Sequence, residues 1–197
     1  MKRIILLLCL SGFYLGSFSQ KVDLLKFEKD RTGIQKKSMI ALAGWSVANI
    51  VISGIATKES NYEMQNFHQM NVMWGSINLA IAGLGYWSAR REKIDNPTIE
   101  SVLKHQNRLK KTYLVNAGLD VLYMAGGLIM TNTSMNQKDP DKFKGYGNSI
   151  ILQGGFLLVY DAINYAIHRK HGKQLGGMIE KIQLSGGLGS VSLVYHF

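Results

Sequence analysis

Polar and apolar positions along this 197-residue chain are segregated into blocks. Ser38 to Thr57, Met64 to Ala89, Thr112 to Gln137 and Gly145 to Ile167 carry no Asp, Glu, Lys or Arg apart from Asp120 and Asp161. Each block is close to the roughly 20 residues that a helix needs to cross a bilayer. The pattern predicts helices over about 38–57, 67–90, 111–132 and 147–169, with polar hairpin loops at 58–63 and around Pro140.

The blocks are related to one another. Lys36 to Thr57 aligns without gaps on Lys110 to Thr131, keeping the Lys-Lys pair, Ala43/Ala117, Gly44/Gly118, Val47/Val121, Ile55/Ile129 and Thr57/Thr131. Trp74 to Arg91 aligns in the same way on Gln153 to Lys170, keeping Gly75/Gly154, Leu79/Leu158, Tyr86/Tyr165 and Arg90/Arg169. Similarity at a fixed spacing is the mark of a repeat. Two helices per repeat give both halves the same orientation, so the duplication is parallel, not inverted.

A charged arm precedes each hairpin, over Val22 to Gln35 and over Pro97 to Leu109. In the second, Asn96 suits an N-cap and Pro97 the first helical turn. Ile99, Val102, Leu103, Gln106 and Leu109 follow at helical spacing, as in a helix lying along the membrane surface. After the last helix, Gly172 to Gly177 reads as flexible. Lys181 to Leu184 and Val191 to Phe197 alternate around Gly186-Gly187-Leu188-Gly189, which reads as a short β-hairpin. The expected architecture is all-α: a four-helix membrane bundle of two tandem arm-plus-hairpin repeats, with a C-terminal β-hairpin. Its parts are 1–19, 20–96, 97–171 and 172–197.

The first part has the layout of an export signal. Lys2 and Arg3 precede the apolar run Ile4 to Gly16, and Ser17-Phe18-Ser19 offers small residues for cleavage after Ser19. Cys9 lies inside the apolar run and is the sole cysteine, so a processed chain has no thiol for disulfides, cysteine metal sites or a Cys nucleophile. The net charge of +10 is not interleaved with aromatic residues on a soluble face, so anionic lipid head groups are the expected partner and nucleic acid is not. Six Lys and Arg lie in Lys21 to Lys37, seven in Arg90 to Lys111 and four after His168, against one and three in the hairpin loops. The basic stretches therefore share one side. The positive-inside rule makes that side cytoplasmic, whereas an export signal delivers the first arm to the opposite side. The expected location is the bacterial inner membrane, with the periplasm or outer envelope as the alternative.

Polar residues inside the apolar blocks are the candidate chemistry. Asp120 lies nine residues past Lys111 and Asp161 eight before Arg169, so both sit about 12 to 14 Å from the same edge and can face each other. Asn116 and Asn164 each lie one turn away. Acids in hydrocarbon turn toward the bundle interior. The four residues are a candidate proton or cation site with a shared proton, or else glue between helices. Asn49 and Asn78 are expected to bond across the first hairpin as structural polar groups. His168 and His171 read as exposed histidines at a helix exit, and no metal or cofactor is expected. Without a nucleophile and base pair, phosphate loop or HExxH motif, the chain is not expected to be an enzyme.

The order of signal ending Ser19-Gln20, basic arm, hairpin, basic arm, hairpin and Gly-rich tail ending Tyr195-His196-Phe197 resembles uncharacterised four-helix membrane proteins of the Bacteroidetes envelope. The resemblance implies a bacterial envelope protein and carries over no catalytic residue. The expected role is binding or structural, with a homo-oligomer or an envelope protein as possible partner. The alternatives are a small proton- or cation-coupled transporter using Asp120 and Asp161, and a secreted periplasmic helical bundle.

Overall fold

A computed structural model describes the backbone of residues 2–58 and 61–185, and the side chains of residues 23–58 and 61–178. The described chain is all-helical: α1 (Lys2–Ala56), α2 (Tyr62–Arg91), α3 (Ile99–Asn132), a 3-10 turn (Ser134–Asn136) and α4 (Pro140–Ser185). α1 and α2 form one antiparallel hairpin, α3 and α4 another, and the hairpins join mainly where α2 runs beside α4. Three of the helices, α1, α3 and α4, are long and apolar enough to cross a membrane. α2 is long enough but less apolar, since Asn66, Asn71 and Asn78 interrupt it.

The helix ends follow local chemistry. Asn61 caps α2 by accepting from the Met64 N–H at 3.0 Å. α3 starts two residues later than the Asn96 cap expected from sequence. Thr98 and Ser101 form a reciprocal capping box there. Asn96 instead takes a left-handed conformation, φ 44°, a region that Asn tolerates better than most residues. Pro140 opens α4, and the Asp139 carboxylate accepts from the Lys142 N–H at 3.2 Å.

Two expectations are corrected. The arms are not separate helices lying along a membrane, because α1 and α3 run unbroken from arm into apolar block. The Lys-Lys junctions contain no breaker, so each helix continues outward by several turns. Nor does α4 end near Arg169. It passes through Gly172, Gly176 and Gly177 to Ser185, so Lys181 to Leu184 is helix where a strand was expected. Each glycine costs a helix about 1 kcal/mol relative to Ala. Burial offsets this: Leu175 and the partly buried Met178 pack with Leu24, Phe27, Val102 and Ile99 in a small core outside the apolar blocks. Residues 186–197, which hold the rest of the expected hairpin, lie outside the described residues, and so do the side chains around the expected cleavage after Ser19.

Burial within the apolar blocks is inverted. Ile52, Ile55, Leu84, Leu122, Ile129 and Val159 are each more than half exposed, while Ser46, Ser149, Gln153, Asn71, Asn78, Asp120 and Asp161 are buried. Close helix contact depends on particular glycines. A Cβ on Gly75 would lie 3.0 Å from the Ser46 carbonyl oxygen, and one on Gly154 would lie 3.1 Å from that of Asp120. Gly44, Gly126 and Gly155 face open space, since each lies off the contact line of its helix.

Candidate functional site

The interior polar groups divide into three regions. The first is a closed network around Gln153 of α4. Its amide donates to Asn49 and to Asn71 at 2.8 Å each, and its carbonyl accepts from the Trp45 indole at 3.0 Å. Ser149 donates to Asn71 at 2.8 Å, and Asn49 donates to the Trp45 carbonyl at 2.9 Å. Sequence reasoning missed Gln153, Asn71 and Ser149, although polar residues on the inward face of apolar helices were the available signal. The expected bond between Asn49 and Asn78 is not made. Asn49 turns to Gln153, which reaches it from α4, and the Asn78 amide nitrogen is buried without a partner among the described residues.

Toward the basic end, a second set of bonds ties α1 to α4 beside an apolar cavity of about 450 Å³, which Ser38, Tyr160 and Asn164 also line. The Tyr160 hydroxyl lies 2.9 Å from that of Ser38, which also donates to Asn164, while Asn164 donates back to the Tyr160 carbonyl at 2.8 Å. Trp45 stacks on Phe156 beside them with ring centroids 3.9 Å apart. Asn164 was expected beside Asp161. It bonds to Ser38 of α1 instead, although it shares a helix face with Asp161, because α4 turns the edge of that face toward α1 and its centre toward the gap.

That gap is the third region. α2 and α3 make no close backbone approach and meet through side chains such as Trp74 on Tyr123, ring centroids 5.3 Å apart. A cavity of about 340 Å³ lies there. Asp120, Asp161 and Asn116 all line it, and Asp161 faces both of the others. Asn78 and Trp74 enter from α2. Asp120 Oδ2, Asn78 Nδ2 and Trp74 Nε1 are buried without a hydrogen-bond partner among the described residues. Most buried polar atoms in proteins are partnered, so three such atoms around one cavity call for an explanation.

Outside the apolar blocks, Arg31 ties α1 to the end of α2, and His105 of α3 joins the same cluster. Its guanidinium donates to Glu28 at 2.7 Å and 3.1 Å and also to Glu92. Burial opposes its charge, but the two carboxylates outweigh burial and hold its pKa above the ordinary value. His105 lies 3.2 Å from Glu28. The ligand atoms of Glu28, Glu92 and His105 fall within 4.8 Å of one another, a donor set suited to a divalent cation, but Arg31 already occupies both carboxylates as their ion-pair partner. The Glu28 and Arg31 spacing of three residues was the sequence signal for this cluster. His168 and His171 are buried and not exposed, because α4 continues past them. His171 stacks on Phe27 at 3.9 Å and lies 3.2 Å from the Phe27 carbonyl oxygen. Burial pushes its pKa down, against a smaller opposing effect of that bond.

No curated protein and no solved structure matches the chain. A family of unknown function, DUF6992, matches residues 41–162, which include Gln153, Asp120 and Asp161 but not Glu28, Arg31 or the two buried histidines. The match spans well over half of the chain, which therefore belongs to this family.

Proposed function

We propose that the chain is a non-enzymatic integral membrane protein of the bacterial envelope, placed in the inner membrane, with a binding or structural role. The observation that carries this reading is the inverted burial: large apolar side chains outside and Asn, Gln, Ser and Asp inside. Such a surface exceeds what soluble monomers expose and suits lipid, where polar side chains turn to one another. The long basic helix ends suit anionic head groups on one side. The tandem repeat belongs to the same reading. Gly75 lies over the Ser46 carbonyl and beside Ile50, and Gly154 lies over the Asp120 carbonyl and beside Met124. The alignment pairs Ser46 with Asp120 and Ile50 with Met124, so the two hairpins close on matching positions.

Fractionation with N-terminal sequencing of the recovered chain tests the proposal. Release only by detergent, after salt and alkaline washes, is the expected result. Recovery in the wash without detergent would favour the periplasmic bundle and overturn the membrane reading. A second reading, a proton- or cation-coupled carrier, is favoured by the unpartnered Asp120 Oδ2 in the cavity beside Asp161. Proton flux into liposomes that is lost in Asp120→Asn and Asp161→Asn chains of normal helicity would support it.

A further inference from the structure

We propose that the cavity between α2 and α3 binds an amphipathic organic ammonium compound: a cationic amine with a neighbouring oxygen and a hydrocarbon tail, seated amine-first on Asp120 and Asp161. The proposal rests on the reading of these acids as a binding site and not as glue between helices.

The partnerless atoms define what a ligand must offer. Asp120 Oδ2 accepts, whereas Asn78 Nδ2 and Trp74 Nε1 donate, and all three belong to residues lining the one cavity. A bare metal ion would satisfy only the acceptor. An aminoalcohol satisfies both kinds, with its amine on the carboxylate and its oxygen on the two N–H groups. Trp74, Tyr113 and Tyr123 also line the cavity, and aromatic faces attract an organic cation, most strongly where water is excluded. A volume of about 340 Å³ is larger than an ion needs and falls in the range of small-molecule sites.

The route in follows from the seam. The aligned counterparts of Ser38, Tyr160 and Asn164 are Thr112, Ile81 and Gly85, all of which line this cavity. Ile81 and Gly85 have no polar side chain with which to repeat the bonds that tie α1 to α4 on the opposite face. Ile81 and Leu119 flank the gap and are both exposed, so a hydrocarbon tail can leave between α2 and α3 into lipid.

The test uses the full chain, extracted in detergent and placed in phosphatidylcholine nanodiscs, with 2-(dodecylamino)ethanol and the neutral 2-(dodecyloxy)ethanol as probes. Binding is followed by native mass spectrometry and by tryptophan emission. The expected result is saturable binding of the amine, at least about tenfold tighter than the ether, with an emission change that is lost in Trp74→Phe. Asp120→Asn together with Asp161→Asn should abolish the preference. Leu119→Trp, which fills the gap from its exposed side and leaves the acids in place, should weaken amine binding even if the double Asn chain fails to fold. Equal binding of the two probes, an amine preference that survives in folded Asn variants, or amine binding undiminished in Leu119→Trp would overturn the proposal. If the amine does not bind but acid-dependent proton flux is present, the ligand class is wrong while the acids remain a site. If the chain needs no detergent, the membrane reading falls with it.

Discussion

Two seams flank the α2–α4 contact between the hairpins; they are built from aligned positions and each carries a cavity, but they differ in how completely their polar groups are bonded. Between α1 and α4, Ser38, Tyr160 and Asn164 bond to one another, and Gln153 closes a network that leaves none of its own polar atoms without a partner. Between α3 and α2, the counterparts Thr112, Ile81 and Gly85 also line a cavity, but three buried polar atoms around it have no partner among the described residues. Gln153 itself aligns on Trp74. Where the amide reaches Asn49, the indole meets Tyr123, the residue aligned on Asn49, through its ring. Polar content alone does not distinguish glue from a site. Completeness of hydrogen bonding does, because a satisfied network has nothing left to offer a ligand and an unsatisfied one does.

The contrast can be broken most directly at Gln153. Gln153→Leu strands the Trp45 indole and the Asn49 carbonyl, and each stranded buried group costs about 1–3 kcal/mol, toward the low end in lipid. A loss of about 2–3 kcal/mol is expected in a denaturation titration in mild detergent. Tyr160→Phe removes one hydroxyl from the α1–α4 seam and should cost about 1–2 kcal/mol, read in the same titration; no change would mean that the triad does not hold the seam. Asp120→Asn keeps shape and hydrogen-bonding capacity and should change stability by less than about 1 kcal/mol. Asp120→Leu should behave similarly or stabilise, if the open seam is a site and not glue; a loss as large as that of Gln153→Leu would make the acids structural and erase the contrast.

The smallest effect is expected outside both seams. The folded-state pKa of His171 is lowered by burial, so the unfolded chain binds that proton more readily. Its neutral form fits the fold at no cost above the unfolded value of about 6.5, and stability falls as pH drops below that value. The thermal midpoint should therefore decline slightly from pH 7 to 5.5, less so in His171→Phe. A decline of the same size in both chains would assign it elsewhere.

Much of this was legible in the sequence. The four apolar blocks marked the four helices, and the depth of Asp120 and Asp161 placed them at one level. The arms were legible as helices but not as continuations of the apolar blocks, since the spacing of Ile99, Val102 and Gln106 is the same in either case. The tail was misread because its glycines signal flexibility locally, while Leu175 and Met178 find a core supplied by arms far away in the chain. His168 and His171 were misread for the same reason.

The sequence by itself determined which segments are helices, where charge is excluded and which positions correspond between the halves, because helical periodicity and hydrophobic length are properties of neighbours along the chain. Only the tertiary structure decided that Asn164 joins Ser38 and leaves Asp161, that Gln153 satisfies three helices at once, and that Asp120 keeps an unpartnered oxygen. Those outcomes depend on which side of each helix meets which partner, and hydrogen bonds between residues 78 to 126 positions apart leave no trace in local pattern.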